Sequence, residues 1–261
     1  MPKWDYKKID YESIDAKELK DNKFLFDIVS TASFIEITSN VYEKNLAEFY
    51  KKDEELTKWL KNTWEPEEIQ HGKSLRKYIK TIWKDFDWDE AYENFKKEYI
   101  PLCKLEYLQE SEAKEMLARM VVETGTSTFY KALSKYAKDL NDPILEQLSI
   151  NISKDEIYHF EIFEKAFKKY SKKENISKAD IIKILYARLK EANSEDVKIA
   201  FNSINPDEKY EEFNKTVKKF AKKYYPYNMA IKMFIRPLAL NRFVENATAT
   251  SLQPAFKILG I

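Results

Sequence analysis

Lys154-Asp155-Glu156-Ile157-Tyr158-His159 and Pro66-Glu67-Glu68-Ile69-Gln70-His71 hold the chain's two histidines, each three residues after a glutamate. On an α-helix that offset brings both side chains to one face, so Glu68 with His71 and Glu156 with His159 can each address a metal ion. Two other helical stretches carry a single glutamate inside an apolar run: Glu36 in Phe34-Ile35-Glu36-Ile37-Thr38 and Glu123 in Met120-Val121-Val122-Glu123-Thr124. Burying a lone carboxylate is costly, and a metal pair removes that cost. Glu-x-x-His from two helices and one Glu from each of the other two is the ligand pattern of a dinuclear site in a four-helix bundle. The order Glu36, Glu68/His71, Glu123, Glu156/His159 therefore predicts an all-α bundle with one ligand set per long helix. Taken singly, each motif would also fit a helical surface pair.

Composition agrees with a packed helical protein. The chain has 261 residues, 44% hydrophobic and 15% aromatic, with only three glycines, enough for one sizeable core and against disorder. The single cysteine, Cys103, excludes an intramolecular disulfide framework and fits a reducing cytoplasm, where a buried thiol is its default reading. The charged start from Lys3 to Lys8 is unlike a signal peptide. The longest charge-free run, Asn246 to Phe256, is too short and polar to span a bilayer. The expectation is a cytoplasmic protein without a membrane span.

Along the chain, Tyr11 to Lys20 reads as a charged lead-in helix and Asn22 to Lys52 as the first core helix. Glu43 rivals Glu36 there, but Lys44 follows it and it reads as solvated. The second helix, Glu54 to Trp83, contains Pro66, which should make it kink or restart. Asp89 is a candidate N-cap for Glu90 to Tyr99. The third core helix runs from Ser111 to Leu140, with Met116, Met120, Glu123, Ser127 and Tyr130 as its inward stripe. Gly72 and Gly125 lie beside proposed ligands, a placement that suits space for a neighbouring helix, dioxygen or substrate and equally suits close helix packing alone. Asp142-Pro143 is a strong helix start, and the fourth helix reaches Lys172 with Glu156, His159, Phe160, Phe163 and Phe167 facing inward. Ser177 and Ser194 read as N-caps of helices Lys178 to Ala192 and Glu195 to Ser203, another helix ends at Tyr224, and Pro226, Pro237 and Pro254 punctuate the tail. No linker or repeat is visible, so residues 1–261 read as one domain.

Trp64-Glu65-Pro66-Glu67-Glu68-Ile69-Gln70-His71-Gly72 resembles the Trp-x-x-Glu-Glu-x-x-His-Gly segment of the soluble acyl-acyl carrier protein desaturases, members of the ferritin-like di-iron carboxylate superfamily. Asp155-Glu156-Ile157-Tyr158-His159 resembles their second Asp-Glu-x-x-His segment, and Thr126 matches their threonine three residues after the third-helix glutamate. The similarity covers roughly residues 24–172, with Pro66 a departure, and leaves the C-terminal part uncovered. It implies a ferritin-like four-helix bundle over about 22–172, to which the local signals add helices over about 173–261, and it implies O2-dependent insertion of a double bond into a carrier-bound acyl chain. It also implies two iron ions, an external ferredoxin-like electron donor, and a catalytic role for Thr126. Asp155 would orient a ligand histidine, and Trp64 would lie on an electron route or in the core. Manganese suits the same ligands.

Net charge is +1, which gives no reason to expect a nucleic-acid partner. The charge is uneven, however: from Asn214 to Arg242 there are eight Lys/Arg and no acid. Lys218, Lys219, Lys222 and Lys223 are accordingly candidates for docking an acidic partner, and the resemblance supplies acyl carrier protein. A homodimer is compatible with this reading. Two other readings stand beside it: a di-metal oxidase or oxygenase of the same scaffold acting on a free fatty acid, aldehyde or amine, and a non-enzymatic metal-binding protein.

Overall fold

Side-chain oxygens close most helix starts, as the residue types at those positions dictate. Asn22 accepts from Leu25 N, Asp53 from Leu56 N, Asp87 from Glu90 N and Ser111 from Lys114 N. The computed structural model describes residues 3–191 and 195–259. Its helices are α1 (Ala16–Leu19), α2 (Lys23–Ile37), α3 (Ser39–Phe49), α4 (Glu54–Trp59), α5 (Glu65–Ile82), α6 (Trp88–Tyr99), α7 (Glu112–Asp139), α8 (Pro143–Glu174), α9 (Lys178–Glu191), α10 (Glu195–Ile204), α11 (Tyr210–Tyr224), α12 (Tyr227–Ile235) and α13 (Arg242–Leu259). The described residues contain no strand. The all-α, helical-bundle expectation holds.

The chain forms two compact units. The first comprises Met1–Leu108, Asn141–Leu148 and Ser194–Asn214; the second comprises Gln109–Leu140, Ser149–Asn193 and Lys215–Ile261.

In the first unit α2 lies along α5, and α10 packs on α2 and α6. The α2–α5 approach is close because residue 72 has no side chain: a Cβ there would sit 2.5 Å from both Ile37 Cβ and Ile37 N. Opposite that contact the expected first core helix breaks. Thr38, at φ −91° and ψ −2°, returns its hydroxyl to Phe34 O at 2.8 Å and lies 2.9 Å from Tyr92 OH, which separates α2 from α3. A side chain that bonds its own preceding turn in this way bends helices. Lys23–Phe49 has the length and composition to cross a bilayer, yet 61% of its most apolar window is buried in the fold, and Asp27, Glu36 and Glu43 are buried along it. These are features of a core segment.

The second helix also differs from expectation. Between α4 and α5 the chain widens into a π turn, Leu60–Trp64, closed by Glu65 N–H on Leu60 O. Pro66 then stands in the first turn of α5, where its missing N–H is tolerated, so the helix restarts. Asp87 caps α6 in place of Asp89, because Asp89 is taken by Arg76 and Lys80. The lead-in stretch is a 3-10 turn, Tyr11–Ser13, followed by α1; Tyr11 is buried and donates to Ser74 O at 3.3 Å. Cys103 is buried, as read from the sequence.

In the second unit Ser153 Oγ donates to Ser127 O at 2.8 Å, joining α8 to α7. Helix α7 also packs against α9 and α12, and α12 against α13, with Ile231, Ile235 and Ala249 at that last contact. Helix α7 follows its start signal at Ser111; the start of α8, which belongs to the first unit, follows its own, with Asp142 Oδ1 accepting from Ile144 N and Leu145 N. Ser177 and Asp180 cap α9 reciprocally, whereas the Ser194 cap and the expected helix end at Ala192 lie outside the described residues. Pro254, expected to interrupt the tail, is an exposed residue inside α13.

Candidate metal centre

Two buried clusters of identical composition stand out. In the first unit, Glu36 comes from the last turn of α2, and Glu68 and His71 come from one face of α5. Their exposures are 5%, 7% and 0%. His71 Nδ1 lies 3.4 Å from Glu36 Oε2, and one ligand atom from each of the three lies within 4.8 Å of the others. Gly72, by letting α2 approach α5, sets this spacing. The backbone of α5 is fixed here as well, since Ser74 Oγ donates to His71 O at 2.8 Å.

In the second unit, Glu123 comes from α7, and Glu156 and His159 come from α8. Their exposures are 2%, 1% and 0%. His159 Nδ1 is 3.8 Å from Glu123 Oε2 and 3.9 Å from Glu156 Oε2, and again one ligand atom from each lies within 4.8 Å of the others. Burial, and then the neighbouring Glu156 carboxylate, push the Glu123 carboxyl well above its ordinary range. Thr126 Oγ1, half-buried, donates to Glu156 Oε2 at 2.7 Å.

Two carboxylates and an imidazole at these spacings suit a divalent cation that accepts oxygen and nitrogen ligands. Crowding carboxylates into an apolar interior disfavours their charged form unless a cation balances it. The raised Glu123 carboxyl registers that pressure, so the donor set fits a metal ion.

The remaining sequence candidates fall as follows. Asp155 is buried, 1% exposed, and Trp64 is buried, 5% exposed, at the end of the π turn. Lys218, Lys219, Lys222 and Lys223 are all exposed on α11, and Lys223 pairs with Asp139 at 3.0 Å. Met116, Met120, Phe160 and Phe163 are buried as expected. Two readings are corrected. Glu43 is buried rather than solvated, at 3% exposure, and burial, then Glu65, push its carboxyl up; the turn at Thr38 redirects α3 and carries the residue inward. Gly125 is exposed, with nothing within 4 Å of where a Cβ would sit, so close packing explains Gly72 alone. Sequence reasoning missed Trp4, whose ring stacks on His71 with centroids 6.2 Å apart and planes 9° apart. Its position at the start of the chain carried no periodic signal.

The sequence profile of the fatty acid desaturase family matches residues 34–188, more than half of the chain and a stretch that includes all six glutamates and histidines of the two clusters. No curated protein and no solved structure is a significant match.

Proposed function

The chain belongs to the fatty acid desaturase family, and we propose that it is an O2-dependent di-iron desaturase of the soluble acyl-acyl carrier protein type, with a ferritin-like bundle, acting in the cytoplasm. The observation that carries this reading is the pair of buried Glu/Glu/His clusters inside the matched segment. Glu36, Glu68, His71, Glu123, Glu156 and His159 would hold two iron ions per chain, with manganese the competing occupant. When bound and reduced by an external donor such as a ferredoxin-like protein, the metal pair supplies the oxidising power, drawn from O2, to remove two hydrogens from adjacent carbons.

The chain's own residues do the rest. Thr126 holds its hydroxyl proton toward Glu156 Oε2, which fixes that carboxylate's rotamer and keeps a proton close to the ligands. Asp155 is the proposed orienter of a ligand histidine, and Trp64 the proposed electron relay. Buried Met116, Met120, Phe160 and Phe163 offer an alkyl chain apolar contacts and exclude water, while offering few groups to orient a charged substrate. The exposed α11 lysines are the proposed landing surface for the acidic carrier protein.

The test is aerobic turnover of the iron-loaded protein with an electron donor and saturated acyl chains on acyl carrier protein, read by mass spectrometry of the product. A mono-unsaturated chain is expected. Oxygen consumption without a double bond at any chain length, with an aldehyde, hydroxylated or N-oxidised product from a free substrate, would move the assignment to another di-metal oxidase. Metal binding with no oxygen consumption would move it to a metal-binding protein.

A further inference from the structure

Residues 3–13 form an arm laid along α5, although the first residues of a domain are poorly ordered unless something ties them down. Its 3-10 turn, Tyr6–Lys8, is closed by Asp5, whose carboxylate accepts from Lys7 N at 3.0 Å. That turn and the next, Tyr11–Ser13, both pack on α5. Tyr11, buried, donates to Ser74 O at 3.3 Å, and the Lys77 ammonium lies 4.4 Å from its ring centroid. Ser74 Oγ in turn donates to His71 O at 2.8 Å. The arm is therefore anchored one helical turn from His71.

At the start of this arm the Trp4 ring stacks, offset, on the His71 imidazole, with centroids 6.2 Å apart and planes 9° apart, a favoured aromatic geometry. His71 is fully buried while Trp4 is half-buried, so the indole reaches from solvent to the ligand ring. Glu36 Oε2 stands 3.4 Å from His71 Nδ1. The χ2 torsion of a histidine has a broad profile, which leaves the plane of the imidazole to be set by what packs against it. A parallel indole supplies that constraint.

We infer that Trp4 is a positioning residue for the metal centre: its ring holds the His71 imidazole in the ligating orientation and slows release of the ion bound by the first-unit cluster. The groups behind a metal-bound imidazole orient it, and the apolar shell around a site controls access of solvent. Trp4 combines both effects in one side chain. The inference rests on the metal reading of the Glu/His clusters and not on the reaction, so it holds for any chemistry the centre performs.

The test is stopped-flow extraction of iron by a chelator from the whole chain after anaerobic loading with ferrous ion, alongside thermal melting of the metal-free and loaded forms. Trp4→Ala should release one of its two ions about tenfold faster or more, whereas Trp4→Phe, which keeps an aromatic face, should stay within a few-fold of the parent. The rise in melting temperature on metal loading should shrink in Trp4→Ala and persist in Trp4→Phe. Tryptophan fluorescence gives a further readout that stands even if Trp4→Ala does not fold: loading should quench more of the parent's emission than of the emission of Trp4→Phe. A parent protein that holds no ion would overturn this inference together with the metal reading. Two ions held and released by Trp4→Ala at the parent's rate, release from Trp4→Phe as fast as from Trp4→Ala, or equal quenching with and without Trp4 would each overturn this inference alone.

Discussion

Thr126 and Glu43 show how much a single side chain can decide. Thr126 Oγ1 sits 2.7 Å from Glu156 Oε2, so Thr126→Val removes one donor and keeps the volume. Metal content should be unchanged, while product formed per O2 consumed falls by about tenfold or more; Thr126→Ser should restore most of it. A loss of metal equal to the loss of product would make the residue merely structural. For Glu43, the folded-state pKa is raised by burial, then Glu65, so the folded chain holds a proton that the unfolded chain releases as pH rises above the ordinary carboxylate range. Stability conferred by this residue is therefore lost as pH climbs through the raised value. Glu43→Gln should flatten that part of the stability–pH curve in thermal melts and leave metal content intact, because Glu43 lies outside both clusters. A fall in metal content would make it a ligand.

At the scale of elements, two glycines in comparable sequence settings should respond oppositely to alanine. Gly72→Ala places a methyl 2.5 Å from Ile37 Cβ and must push α2 from α5; a loss of about 1–3 kcal/mol is expected, with weaker metal binding as Glu36 and His71 separate. Gly125→Ala meets nothing and should gain up to about 1 kcal/mol from helix propensity. Chemical denaturation of both variants decides the matter, and a neutral Gly72→Ala would contradict the packing described. The pair also shows what was legible beforehand. Helix starts written in local chemistry, such as Ser111 and Asp142-Pro143, could be read directly, as could the Glu-x-x-His offsets, since their logic is confined to a turn or two. The break at Thr38, the π turn before Pro66 and the choice of Asp87 over Asp89 could not. The first and the last are settled by residues distant in sequence: Tyr92 against Thr38, and Arg76 and Lys80 drawing off Asp89. The same holds for Trp4, which meets His71 only through the fold.

For the whole molecule, the uneven charge bears on recruitment. Reversing Lys218, Lys219, Lys222 and Lys223 to glutamate should slow association with acyl carrier protein chiefly through the on-rate, and raised salt on the unaltered protein should mimic it. The fold should persist, because an exposed pair such as Lys223–Asp139 contributes little. Stopped-flow association at two ionic strengths reads both effects, and a rate indifferent to both would remove α11 from the docking surface. The metal clusters bear on stability: ions that bind the folded chain alone raise its melting point by linkage. The most direct measurement of the central claim is the iron content per chain after anaerobic loading with ferrous ion and desalting. Two ions per chain are expected, with a marked loss when His71→Ala and His159→Ala are combined. A content near zero or one, or a content of two that survives the double substitution, would contradict the assignment of these six residues.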